Sequence, residues 1–251
     1  MVAKLDELFT QNQEQRELHA KDPIKFLDSE SALHAHLHEM QALAAYPDKL
    51  NDFIDVGAIE SLVGVLQHQN VDVCQLCVTL LCEIIDKEMA ESNPEAVKKC
   101  MDQLTENSVW VLLLKVCILA ETEKEQKGEI SQGEEDLLVQ KCLTLLDNMR
   151  DLAPSVISNK ILHSDNVIDY LLENIEREDQ SVSISAMSSE LVSNLIQSCA
   201  EDFRTKFVLT LAGMARLLAV VDKRYANGDK EVLLNVFDTL AALLVGNKEH
   251  A

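Results

Sequence analysis

A polar residue recurs inside otherwise apolar helical segments of this chain, and its spacing constrains the fold more than any other sequence feature. Each segment has apolar residues at the 3.6-residue period of an amphipathic helix. The polar residues are Glu83, Asn148, Asn194 and Thr239, at intervals of 65, 46 and 45 residues. Intervals of about 40–47 residues are typical of helical repeats, which must stack because each exposes an apolar face that it cannot bury alone.

The first clear repeat unit and the composition support the same interpretation. Residues 56–66 and 71–85 are apolar with helical periodicity, and the polar run 67–70 separates them. Only 7 Gly and 4 Pro occur among 251 residues, which favours long helices over strands and tight turns. We therefore predict an all-α fold, namely a right-handed armadillo/HEAT-type helical-repeat solenoid.

Breaks in this pattern predict the domain boundaries. Residues 1–50 have the pattern of short helices broken at Asp22-Pro23 and Tyr46-Pro47, because a residue before proline avoids the helical conformation. We expect an N-terminal helical cap at 1–50, followed by about four armadillo-type repeats at 51–251. The charged run 121–135 accounts for the longest interval, and we predict an acidic surface loop insertion there.

The charge balance indicates which partners the surface favours. Lys and Arg number 22 and Asp and Glu number 43, so the net charge is −21 at pH 7. Such a surface repels nucleic-acid phosphates and anionic lipid headgroups, and it attracts basic partners. No segment reaches the ~18 uncharged apolar residues of a membrane-spanning helix. We expect protein partners with Lys/Arg-rich segments, and neither direct nucleic-acid nor membrane binding.

The candidate metal ligands are two cysteines and two histidines. Cys74 and Cys77 lie within one apolar helical pattern with no second ligand pair, whereas a zinc site needs about four ligands. His34 and His38 are one helical turn apart but supply only two ligands. The sequence also lacks G-x-S-x-G, P-loop and G-x-G-x-x-G motifs. We predict no metal, no cofactor, no catalytic residues and no enzymatic activity.

The N-terminal part carries a family resemblance. The segments that carry it are Asn12–Arg16, Pro23–Glu30 and Val56–Val63, then His68, Asn70, Asp72 and Val73. They resemble the catenin-beta-like proteins, armadillo-repeat subunits of the spliceosome-associated nineteen complex. The resemblance covers residues 11–251 and corresponds to the first half of that family's usual length. It implies a nuclear protein that takes part in pre-mRNA splicing.

The predicted binding site is the concave surface lined by the last helix of each repeat. The candidate partner-binding residues are Glu83, Asn148, Glu190, Asn194, Asn235 and Thr239. We expect these exposed polar side chains to hold an extended Lys/Arg-rich segment, with the amides binding its backbone and the carboxylates its charges. The tryptophans of armadillo peptide-binding ladders are absent at these positions, and Trp110 has the pattern of a core residue.

Two functions are compatible with this sequence. The first is a nuclear, non-enzymatic scaffold that holds basic segments of splicing factors in the nineteen complex. The alternative is a cytoplasmic nuclear-transport adaptor that binds basic localisation signals. The missing tryptophans and the lack of a basic N-terminal arm favour the scaffold.

Overall fold

In a computed structural model, which describes residues 1–127 and 134–246, the chain is helical and the described residues form no β-strand. Short 3-10 segments occur at Pro23–Lys25, Gln41–Ala45 and Pro47–Lys49. The α-helices are α1 Val2–Leu18, α2 Leu27–Met40, α3 Leu50–Asp55, α4 Ala58–Val65, α5 Val71–Ile84, α6 Lys87–Ser92, α7 Pro94–Glu106, α8 Val109–Lys127, α9 Glu134–Leu152, α10 Pro154–Leu162, α11 Asp165–Glu176, α12 Val182–Ser198, α13 Glu201–Leu209, α14 Gly213–Asn227 and α15 Lys230–Gly246. The all-α prediction is confirmed.

The helix boundaries of the first predicted unit follow from local sequence. Helix α4 begins after Gly57, whose φ of +86° is a left-handed conformation that glycine adopts without a Cβ clash. Helix α5 begins after Asn70, whose Oδ1 accepts a hydrogen bond from the Val73 backbone N–H at 3.0 Å. Asp22 and Tyr46, each followed by proline, leave the helical conformation as expected.

The chain divides into two compact units, Met1–Asn148 and Met149–Ala251. The core of the first includes Leu5, Leu33, Ile54, Leu62 and Leu81, all nearly inaccessible to solvent. In the second unit, Phe203 and Phe207 of α13 are among the largest fully buried side chains. Each unit therefore has its own apolar core, built where the amphipathic faces of its helices meet.

The predicted acidic loop at 121–135 is mostly helical in the described residues. Helix α8 extends to Lys127 and α9 starts at Glu134, and residues 128–133 lie outside the described part. The loop prediction is wrong for 121–127 because Glu, Lys and Gln are strong helix formers that can extend a helix without burying a face. Lys124 Nζ donates to Asp136 Oδ1 at 2.6 Å and joins the two helices.

Helix α8 also carries the single tryptophan of the sequence. Trp110 is only 4% exposed, so its expected core role is confirmed.

Among the described residues, no single helix is long and apolar enough to cross a membrane. Only the pair Pro94–Glu106 and Val109–Gln126, bent by 72°, has sufficient length and apolar character when taken together.

Candidate partner-binding surfaces

Glu83 lies in the last turn of α5 in a partly buried position. Its Oε2 atom is enclosed, and none of the described residues donates a hydrogen bond to it. Burial raises the pKa of the Glu83 carboxyl above its ordinary value, Lys141 opposes this rise, and Asp86 adds to it. The carboxylate therefore lacks the donors that usually stabilise a partly buried negative charge.

A cavity of about 420 Å³, which we name the acidic pocket, opens beside Glu83. Its lining residues are Pro47, Glu83, Asp86, Glu88, Met89 and Ser92. Asp86 is held in place as the N-cap of α6, because its Oδ1 accepts the Met89 backbone N–H at 2.7 Å. The lining combines three carboxylates, no basic side chain and an apolar wall. Such a pocket suits the charged head and apolar stem of Lys or Arg.

Asn148 lies close to the end of α5. Its Nδ2 donates to the Ile85 carbonyl oxygen at 2.7 Å. This bond joins α9 to the residue that follows α5 and so helps to fix the position of the last turn, which carries Glu83. Within the first unit, the amide nitrogen of Asn148 is therefore bonded to the chain's own backbone.

In the second unit the predicted residues differ in accessibility. Glu190 is exposed on α12 and Asn194 is partly buried. Asn235 Nδ2 donates to Ser189 Oγ at 3.1 Å, which joins α15 to α12. Thr239 is 1% exposed, and its hydroxyl donates to the Asn235 carbonyl at 2.8 Å. The expectation that Thr239 is exposed is therefore wrong, because it lies on the buried side of α15.

A buried polar network in the first unit joins α1, α2 and the start of α5. Asn12 of α1 is fully buried, and its Nδ2 donates to Ser29 Oγ at 2.9 Å. Its Oδ1 lies 2.8 Å from Nε2 of His68. The Asn70 backbone N–H donates to His68 Nδ1 at 3.0 Å, so Nδ1 carries no proton and Nε2 is the donor to Asn12.

Charged residues complete this network. Asn70 Nδ2 donates to Glu30 Oε1 at 2.7 Å, and the other oxygen of Glu30 pairs with Arg16. The Arg16 guanidinium lies over the Phe26 ring, 4.5 Å from its centroid. Burial first, and then the positive charge of Arg16, lower the pKa of His68 to about 4, although Glu30 opposes this. His68 is therefore neutral at pH 7.

The residues of this polar network could be identified in the sequence, but their contacts with each other could not. Asn12, Arg16, Glu30, His68 and Asn70 all belong to the segments that carry the family resemblance, and they meet in one place. An asparagine at a fully buried position of α1 is the one local sign of a polar network, since buried amides need hydrogen-bond partners. The network fixes α1 and α2 against the first repeat.

The candidate metal ligands remain apart from any larger ligand group. His34 and His38 are exposed on α2. Cys74 and Cys77 are buried, and Cys77 Sγ donates to the Leu62 carbonyl at 3.2 Å. Burial raises the pKa of Cys74 to about 12, which makes it an unreactive thiol. In the described ranges, no group of three or more His, Cys, Asp or Glu side chains is arranged to hold a metal ion.

Comparisons with known proteins agree with the resemblance. A family model described as "Catenin-beta-like, Arm-motif containing nuclear" matches residues 1–251. Beta-catenin-like protein 1 of Homo sapiens is 25% identical over 250 residues, which make up 98% of this chain and 42% of that protein. The Schizosaccharomyces pombe homolog is 23% identical over 253 residues, or 99% of this chain and 43% of its own length. This chain thus spans less than half the length of these relatives.

Among solved structures, a designed armadillo repeat protein matches with a TM-score of 0.39 and 16% identity, over 92% of this chain and 99% of its own. The family assignment depends instead on the model match, which extends over residues 1–251. Together with the helical fold and the matching N-terminal segments, it confirms the predicted relationship. The chain belongs to the catenin-beta-like family of armadillo-motif proteins.

Proposed function

We propose that this chain is a non-enzymatic armadillo-repeat scaffold that binds Lys/Arg-rich segments of protein partners. As its cellular role we propose a nuclear component of the nineteen complex in pre-mRNA splicing, with splicing factors as the partners. The observation that carries the binding proposal is the acidic pocket, whose lining includes the three carboxylates of Glu83, Asp86 and Glu88 and no basic side chain.

A cationic side chain in this pocket would pair with carboxylates that line it. The ammonium or guanidinium group would lie near Glu83, Asp86 and Glu88, and its stem would contact Met89 and Pro47. Because Glu83 is partly buried, we expect this ion pair to contribute more than the 0.2–1 kcal/mol typical of exposed pairs. The net charge of −21 would also accelerate the encounter with a basic segment.

The second unit contributes weaker contacts in this proposal. Glu190 is exposed and Asn194 is partly buried on α12. A basic segment would form an ion pair with Glu190 and a hydrogen bond with Asn194. Asn235 and Thr239 would act indirectly, since both make hydrogen bonds within the second unit. We expect affinities in the micromolar range, about −8 kcal/mol, because few of the pairs are enclosed.

The binding proposal is tested by titrating the chain with a fluorescently labelled, extended Lys/Arg-rich peptide. Glu83→Gln should weaken binding at least about tenfold, and Glu190→Gln by less than about fivefold. Glu14→Gln, which removes an exposed charge from α1, is the control for net charge and should leave the affinity nearly unchanged. Raising the salt from 0.1 M to 1 M shortens the Debye length from ~10 Å to ~3 Å and should weaken wild-type binding.

Equal affinities of Glu83→Gln and Glu14→Gln would show that the acidic pocket is not the site. The cellular role needs a separate measurement, which is affinity purification from nuclear and cytoplasmic extracts. Recovery of nineteen-complex subunits with wild type but not with Glu83→Gln supports the scaffold. Recovery of a transport receptor with mixed basic cargo would instead support the adaptor.

A further inference from the structure

The walls of the acidic pocket come from separate segments of the chain, and one side chain joins them. Pro47 belongs to the 3-10 segment Pro47–Lys49, whereas Met89 and Ser92 belong to α6. Asn93 directly follows α6, and its Nδ2 donates to the Pro47 carbonyl oxygen at 2.8 Å. This hydrogen bond joins residues that are 46 positions apart in sequence, and it fixes the Pro47 wall relative to α6.

Two further contacts hold the Asn93 amide in this orientation. Its Oδ1 atom accepts hydrogen bonds from Asn51 Nδ2 at 3.2 Å and from the Ala96 backbone N–H at 3.4 Å. A backbone N–H can only donate, so the atom that faces Ala96 is the oxygen and the atom that faces Pro47 is the nitrogen. Asn93 is also the N-cap of α7. The residue therefore has two separable roles, since it caps α7 through Oδ1 and joins the pocket walls through Nδ2.

Two of the three carboxylates of the pocket also have restricted positions. The Asp86 carboxylate is held at the start of α6, because its Oδ1 accepts the Met89 backbone N–H at 2.7 Å. Glu83 is partly buried at the end of α5, whereas Glu88 is exposed. Lys141 interacts with Glu83 but does not line the pocket. The pocket therefore presents acceptors in fixed positions before a ligand arrives.

These features suit a guanidinium better than an ammonium group. A guanidinium is planar, weakly hydrated and carries five N–H donors in a fixed fork, whereas an ammonium is a compact and strongly hydrated point charge. Fixed carboxylates favour the fork, which can donate two parallel hydrogen bonds. The wall formed by Pro47 and Met89, which is 6% exposed, is apolar and does not replace the water that an ammonium loses. Burial raises the pKa of Glu83, which means that water stabilises this carboxylate less than an exposed one.

We propose that the acidic pocket is a preformed guanidinium site, held in shape by Asn93, and that it selects arginine over lysine in the bound segment. The inference rests on the proposed function, because it specifies the partner of the same pocket. Asn93 does not line the pocket, so it is a positioning residue that acts by keeping Pro47 opposite α6. Without the Nδ2 bond the Pro47 wall is free to move, and the pocket accepts either cation with little preference.

The test uses the full chain and two labelled, extended peptides of equal length and charge, one with arginine and one with lysine at every basic position. Wild type should bind the arginine peptide at least about fivefold more tightly than the lysine peptide. Asn93→Ser keeps an N-cap residue at α7 but removes the donor to Pro47, and it should reduce this ratio to below about twofold. Asn107→Ser, at the exposed other end of α7, is the matched control and should keep the wild-type ratio.

The ratio of the two affinities separates positioning from effects of charge. Asn93→Asp also keeps the cap and removes the donor; its added charge should strengthen the binding of both peptides, while the ratio still falls. Far-UV circular dichroism and Trp110 fluorescence check that each variant is folded.

The contrary outcomes distinguish this inference from the proposed function. If Glu83→Gln weakens both peptides but wild type binds them equally, or if Asn93→Ser keeps the wild-type ratio, the arginine preference set by Asn93 is refuted and the acidic pocket remains the binding site. If Glu83→Gln binds both peptides as tightly as wild type does, the proposed function and this inference both fail.

Discussion

The neutral His68 makes the first unit sensitive to mild acid, and this is the sharpest prediction from the polar network. Its folded-state pKa of about 4 lies below the 6.5 of an unperturbed imidazole. The unfolded chain therefore takes up the proton at a higher pH than the folded chain does. Stability is unaffected by His68 above about pH 6.5 and falls as the pH drops from there towards 4.

The magnitude follows from the two pKa values. Their difference corresponds to at most about 3 kcal/mol of unfolding free energy, since each pKa unit is worth about 1.4 kcal/mol. About 2 kcal/mol of this is lost between pH 7 and pH 5, where the unfolded imidazole becomes protonated and the folded one does not. The loss is a sizeable fraction of the 5–15 kcal/mol typical of a folded domain.

The assay is urea unfolding at pH 7, 6 and 5, followed by tryptophan fluorescence. The single tryptophan, Trp110, is buried on α8 in the same unit as His68, so its emission reports on that unit. His68→Gln removes the titrating group. Between pH 7 and pH 5, the unfolding free energy of the wild type should fall by about 2 kcal/mol more than that of this variant. His34→Gln, at an exposed position of α2, controls for the loss of a histidine and should keep the wild-type slope.

The result that refutes this reasoning is an equal loss of stability in wild type and His68→Gln. His68 would then titrate alike in the folded and unfolded chains, and burial and the charge of Arg16 would not hold the imidazole neutral. A constant urea dependence of the unfolding free energy across the three pH values is required for the comparison, because it shows that the same surface is exposed each time.

Three further predictions follow. Gly213→Ala should destabilise the second unit by about 1–3 kcal/mol, since a Cβ there would lie 2.2 Å from the Phe207 ring. Gly64→Ala in α4 should be neutral or stabilising, since its Cβ would lie 4.0 Å from Phe9 Cε1 in ordinary van der Waals contact. Thermal unfolding compares the two variants. Arg224→Lys should lower the free energy of chemical unfolding by about 3 kcal/mol. The guanidinium donates to the carbonyl oxygens of both Ile175 and Arg177, which a single ammonium group cannot do with the same geometry. Basic-peptide affinity should fall as the pH drops through the raised pKa of Glu83, and calorimetry should detect proton release on binding.

Each of these predictions has a contrary outcome. Equal effects of the two glycine substitutions would show that Phe207 moves aside without strain. An Arg224→Lys variant as stable as wild type would mean that the buried carbonyls find other donors. A pH dependence that persists in Glu83→Gln would assign the titration to another carboxylate of the acidic pocket.

Local sequence was sufficient to predict the helices and several of their ends. The polar run 67–70 that separates two helices, and the breaks before Pro23 and Pro47, were predicted because they depend on neighbouring residues only. The loop prediction at 121–127 is wrong although the signals there are also local. The charges and the two glycines of the run 121–135 suggested a loop, but intrinsic helix propensity and the pair between Lys124 and Asp136 favour helix at 121–127.

The polar network was beyond the reach of pattern analysis because its contacts are long-range. Asn12 and His68 are 56 positions apart in sequence, and Asn70 and Glu30 are 40 apart. A periodic pattern assigns a residue to a face of its own helix, but it does not state which side chain of another helix lies opposite. The lowered pKa of His68 depends in part on such an opposite helix, since Arg16 lies on α1.

The repeat alignment placed four polar residues at equivalent positions, yet equivalence in sequence did not give equal accessibility. Thr239 is buried and Asn194 is only partly so, because accessibility depends on which helices surround the position in each unit. The same comparison is informative when reversed. Positions that are buried on α12 recur on α15 as exposed Leu234 and Phe237, so the periodic pattern gives the face of a helix on which a residue lies but not whether another helix covers that face.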